Sequence, residues 1–100
     1  MIVDRYTKER YIVVQEFMVR DLHLKGNDLL VYAIIYGFSQ DGEQAFSGSL
    51  GYLAEWTSST KQGIMKNLNN LIERNLIKKT EENKNGVRNC KYTTNIDNGM

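Results

Sequence analysis

Ser49-Leu-Gly-Tyr-Leu-Ala-Glu-Trp-Thr-Ser-Ser-Thr-Lys-Gln-Gly-Ile-Met-Lys-Asn-Leu-Asn-Asn-Leu-Ile-Glu-Arg-Asn-Leu-Ile77 is the stretch whose reading decides the fold. Ser49 stands where a helix N-cap belongs, ahead of a short helix over Leu50 to Trp56. Leu50, Leu53, Ala54 and Trp56 would form its inward face. Thr57-Ser58-Ser59 is a polar break. A second helix then starts at Ser59 or Thr60 and runs to about Arg74, with Ile64, Leu68, Leu71 and Ile72 at helical spacing. Asn75 suits the position after the helix end, because asparagine tolerates the left-handed conformation.

Working outward, Leu76 to Thr80 and Val87 to Tyr92 are short strand candidates. Glu81 to Gly86 lies between them, and its Asn85-Gly86 pair is a strong hairpin signal. Upstream, Ala45-Phe46-Ser47 reads as extended and Gln40 to Glu43 as a turn. A helix is expected from Leu29 to about Ser39, with Asn27 as N-cap and Asp28 facing the positive end of the helix dipole. That helix is apolar almost all round, so it needs cover on several sides, from the N-terminal segment or from a partner subunit. Tyr11 to Val19, rich in β-branched and aromatic residues, reads as a strand or extended arm. The expected fold class is α+β: a winged helix-turn-helix with a three-helix core, a C-terminal hairpin wing and an N-terminal strand or arm.

With 100 residues and no linker-like tract, one domain over residues 1–94 is expected, followed by a frayed polar tail over 95–100. Hydrophobic residues at 41% are enough for a core. The lone Cys90 cannot make an internal disulfide and no CxxC pair offers a zinc site, so a reducing cytoplasmic location is expected. The longest apolar run, Leu29 to Phe38, is too short to span a bilayer.

No enzyme chemistry is legible. His23 has no metal-ligating residue at suitable spacing, and the serines at 47, 49, 58 and 59 lack a nearby base. Asp41/Glu43 and Glu81/Glu82 fall in expected turns and are best read as solubilising. Cys90 reads as a packing residue, and Tyr32, Tyr36, Phe38, Phe46, Tyr52 and Trp56 as core. No cofactor or metal is expected.

The charge is unevenly spread. Residues 1–60 hold five basic and eight acidic residues, net −3; residues 61–93 hold eight basic and three acidic, net +5. The positive part is where phosphates would be neutralised. With the apolar residues of the second helix turned inward, Thr60, Gln62, Lys66, Asn67 and Asn70 fall on or beside its free face, along with Gly63. Glutamine and asparagine can pair bidentately with adenine, and lysine can donate to guanine or phosphate. Ser58, Ser59 and Thr60 offer hydroxyls and backbone N–H groups at the helix start, and the Lys61 stem is long enough to reach a phosphate. Lys84 and Arg88 are the wing candidates. Double-stranded DNA is therefore the expected partner. A protein-interaction module is the alternative, because the apolar helix over residues 29–38 could serve a homodimer.

Leu24-Lys-Gly-Asn-Asp-Leu-Leu-Val-Tyr-Ala-Ile-Ile-Tyr-Gly-Phe-Ser-Gln40 and Phe46-Ser-Gly-Ser-Leu-Gly-Tyr-Leu-Ala-Glu-Trp56 resemble the N-terminal winged-helix domain of replication initiator and replisome-organiser proteins. Those proteins come from phages and mobile elements of low-GC Gram-positive bacteria and are related in style to DnaD. Leu71-Ile-Glu-Arg-Asn-Leu-Ile-Lys78 is similar to the usual winged-helix ending, with Asn75 where glycine is common. The resemblance spans about residues 11 to 93. It implies DNA replication as the setting, a longer parent initiator, self-association, and docking to replisome proteins such as a helicase loader.

Overall fold

A computed structural model describes residues 12–40, 45–47 and 49–95. Tyr11, the expected turn residues Asp41 to Glu43 and the tail from Ile96 onward lie outside the described residues. The elements are α1 (Glu16–Arg20), α2 (Gly26–Gln40), α3 (Leu50–Thr57), α4 (Lys61–Glu73), β1 (Ile77–Lys84) and β2 (Val87–Thr94). The architecture is the expected α+β winged helix-turn-helix, with one more helix than anticipated.

That extra helix replaces the anticipated N-terminal strand. Ile12 to Gln15 have no regular structure, and α1 follows. The reason is packing. Met18 is fully buried, and its neighbour Phe17 packs its ring against Tyr32 and Tyr36, with centroids 6.3 and 5.5 Å away. A strand would send adjacent side chains to opposite faces, whereas a helical turn lets both point into the core. β-Propensity yields to that contact, and Val13, Val14 and Val19 stay exposed.

α2 lies at the centre. It begins at Gly26, whose φ of +61° swings the chain into the helix, so Asn27 sits inside the first turn and not at the cap. Val31 to Ile35 are all buried. α1 covers one side of α2, while α3, α4 and β2 cover the others. The apolar circumference thus has its cover within the chain. Ile35, at 0% exposed, is unavailable to a partner, so covering this helix does not require the homodimer through residues 29–38 that the sequence suggests. Tyr32, also buried, stacks on Tyr36, and burial first, with Tyr36 second, pushes its pKa up to about 12.

β1 and β2 form an antiparallel hairpin in continuous register from Ile77↔Thr94 to Lys84↔Val87. Asn85 and Gly86 close it with φ of +54° and +80°, the two positive values that a type I′ turn requires. Because a two-residue turn keeps the strands paired up to its edge, Glu81 and Glu82 are strand residues, not the turn residues expected. Phe46 adds a single antiparallel bridge to Tyr92 through two backbone bonds of 2.7 and 2.9 Å, giving the sheet a third short edge. Ile77 and Tyr92 are buried and bind the base of the hairpin to the helices. Past them the hairpin projects into solvent.

Candidate nucleic-acid interface

α3 ends at Thr57 and α4 begins at Lys61, so Ser58, Ser59 and Thr60 make the turn. Ser58 takes the left-handed conformation at φ +53°, and its N–H returns to the carbonyls of Ala54 and Glu55. The Ser59 N–H also donates to Ala54, at 2.9 Å. Both helices are capped by the expected residues. Ser49 accepts from the Tyr52 N–H at 3.1 Å, and Thr60 accepts from the Gly63 N–H at 3.0 Å. The Thr60 hydroxyl keeps its own proton to donate.

Gly63 now has a cause. A Cβ there would lie 2.7 Å from Ser59 Oγ and 3.3 Å from Thr60 Oγ1, so the turn hydroxyls fill the space that a side chain would need. The capped turn and the glycine go together.

Ile64, Leu68 and Leu71 are buried and set the orientation of α4. Ser58, Thr60, Lys61, Gln62 and Lys66 of the anticipated contacts are exposed, and Ser59 is half-buried beside them. Asn67 and Asn70 are half-buried. Asn67 is engaged within the fold, where its Nδ2 donates to Asp28 Oδ1 at 2.6 Å and joins the middle of α4 to the first turn of α2. The amide is thereby occupied in fixing how α4 crosses the core, which makes Asn67 a positioning residue. At about 100° per residue, Asn67 sits only about 70° from the centre of the buried stripe, while Asn69 sits about 130° away. Asn69 and Met65 are exposed in its place. A wheel centred on Ile64, Leu68 and Leu71 alone, without the half-buried Ile72, finds this from sequence.

Between α4 and the hairpin runs a groove of about 400 Å³. Met65, Leu68, Asn69 and Ile72 line it from α4, Lys79, Arg88, Asn89, Cys90 and Tyr92 line it from the hairpin, and Ser47, Ser49 and Leu50 complete the lining. The anticipated Arg88 is therefore in the right place, and Lys79, which sequence reasoning missed, joins it. Strand alternation would have found Lys79, because it shares a face with buried Ile77 two residues before it. The Tyr92 phenol first, and the hydrogen bond to Glu81 second, hold the Lys79 ammonium above its ordinary pKa. Lys84 ends β1 opposite Val87, next to the turn.

Three of the hairpin cations are paired. Lys79 Nζ lies 3.4 Å from Glu81 Oε2, Arg88 Nη1 lies 3.9 Å from Glu81 Oε1, and Lys91 Nζ lies 3.7 Å from Glu82 Oε1. Lys61 and Lys66 take no part in the ion pairs of the described residues. Arg74, at the end of α4, donates to the Leu22 carbonyl and is engaged in holding the α1–α2 connection.

No helix among the described residues is long and apolar enough to cross a membrane. Neither the curated proteins nor the solved structures contain a match to this chain. A helix-turn-helix domain family matches residues 22–77, from the approach to α2 through the first residue of β1, which is more than half the chain. Capped helices joined by a three-residue turn, an α4 with its apolar side buried and this match together place the chain in the helix-turn-helix domain family.

Proposed function

We propose that this chain is a non-catalytic, cytoplasmic domain that binds double-stranded DNA, with the start of α4 in the major groove and the hairpin against the adjoining backbone. The observation that carries the reading is the pairing of two exposed elements: Gln62, Lys66 and Asn69 are exposed on α4, and Asn69 shares the groove with Lys79 and Arg88 of the hairpin. Amide side chains can read base edges and the cations can neutralise phosphates. Membership in the helix-turn-helix family supports DNA binding in general. The finer setting rests on the resemblance to replisome-organiser proteins. It is initiation of replication on a phage or mobile element, or transcriptional control, with a protein-interaction and oligomerisation module of a replisome organiser as the alternative.

A fluorescence-anisotropy titration on a labelled duplex tests it. Affinity should fall steeply as salt rises from about 50 to about 200 mM, because each neutralised phosphate releases counterions. Gln62→Ala and Lys66→Ala should weaken binding while leaving the melting temperature in place. No binding to any duplex at about 50 mM salt would remove the reading.

A further inference from the structure

We propose that Glu81 acts as an internal stand-in for a DNA phosphate, holding Lys79 and Arg88 together in the free protein and withholding both from the backbone until it is displaced. The inference rests on the DNA-binding reading and adds a restraint built into the wing.

The geometry begins with strand parity. Lys79 pairs with Tyr92, Glu81 with Cys90 and Asn83 with Arg88, so all of these side chains belong to one face of the hairpin. It is the face carrying buried Tyr92, turned to the groove and to Asn69 on α4. Glu81 reaches both cations with different oxygens, Oε2 toward Lys79 at 3.4 Å and Oε1 toward Arg88 at 3.9 Å. Two oxygens bridging an ammonium and a guanidinium are the arrangement that a phosphate would make with the same pair. A phosphate seated there must also tolerate the carboxylate beside it. The side chains are 38%, 45% and 69% exposed for Lys79, Glu81 and Arg88, and pairs in such surroundings are weak. The clasp is strong enough to lower affinity and weak enough to open.

Glu82 supplies the control. It pairs with Lys91 at 3.7 Å, but alternation places both on the opposite face, and neither lines the groove. Glu81→Gln and Glu82→Gln each remove one negative charge from neighbouring positions. Their difference therefore isolates the clasp from any general gain in positive charge.

Anisotropy titrations of the wild type and the two variants on one duplex, from about 50 to about 200 mM salt, decide between these outcomes, with circular dichroism melts confirming that all three fold. Glu81→Gln should tighten binding about five- to tenfold at the low-salt end and steepen the dependence of log K on log salt by about one phosphate contact. Glu82→Gln should change affinity by less than about twofold. Arg88→Ala placed on Glu81→Gln should cancel the gain. Wild-type binding with equal gains for the two glutamine variants, or with no gain for Glu81→Gln, overturns the clasp and leaves the DNA reading standing. Absence of binding by all three removes the DNA reading and the clasp with it. Binding by Glu81→Gln alone supports both.

Discussion

α4 and the hairpin are both basic, yet they hold their charge in opposite ways. α4 is anchored by three buried side chains, Ile64, Leu68 and Leu71, and it presents Lys61 and Lys66 outside any ion pair of the described residues. The hairpin is anchored only at its base, by Ile77 and Tyr92, and pairs Lys79, Arg88 and Lys91 with its own glutamates. The net +5 of residues 61–93 already subtracts these glutamates, so pairing decides not its size but which of the eight cations stand free for a ligand. One element is built to dock and the other to adjust.

Anchoring should separate the two most strongly. Leu71→Ala should destabilise the domain by about 3 kcal/mol in urea unfolding, the usual loss for a large aliphatic side chain in a core that cannot collapse around the gap. Val87→Ala, near the tip of the hairpin where the side chain is 58% exposed, should change stability by less than about 0.5 kcal/mol. An equal loss at both sites would mean that the hairpin carries a core of its own.

The helical side can also be probed through pH. Tyr32 packs beneath α1 with a pKa raised to about 12, so folding favours its neutral form. Its contribution is fully present below the ordinary tyrosine value near 10 and is lost as pH climbs through about 12. Unfolding free energy should drop by about 2 kcal/mol across that window in the wild type and markedly less in Tyr32→Phe.

Binding should sharpen the comparison further. Lys66→Ala should weaken DNA binding roughly tenfold and lower the salt slope by about one. Lys91→Ala should have a much smaller effect, since Glu82 already offsets that charge on the far face of the hairpin. Smallest of all is the contrast between two asparagines. Asn67→Ala should cost about 1–2 kcal/mol of stability by leaving the half-buried Asp28 carboxylate without its donor. Asn69→Ala should leave stability within about 0.5 kcal/mol and act only on DNA affinity. A reversal would return Asn67 to the reading face.

Much of the fold was legible because its signals are local. Ser49 and Thr60 cap the helices they precede, Asn75 takes the left-handed conformation at φ +63°, and Asn85-Gly86 turns the hairpin. Each depends on a few consecutive residues, whose backbone preferences hold in any context. Ile64, Leu68 and Leu71 likewise declare the buried side of α4 by spacing alone.

What sequence could not decide lies between elements. Phe17 and Met18 had to meet α2 before a β-prone segment would coil into a helix. Residues 29–38 carry the same apolar surface whether a partner or the chain itself covers it, and only the packing of α1, α3, α4 and β2 around α2 settled which. Asn67 and Asp28 stand 39 residues apart and Glu81 and Arg88 meet across a strand pair, so neither contact leaves a trace in local pattern. By itself the sequence determined a helix-turn-helix with a wing, since caps, turns and periodicity are short-range properties. Tertiary structure decided which of its polar residues are free to meet a ligand, because availability is set by the partners that folding brings within reach.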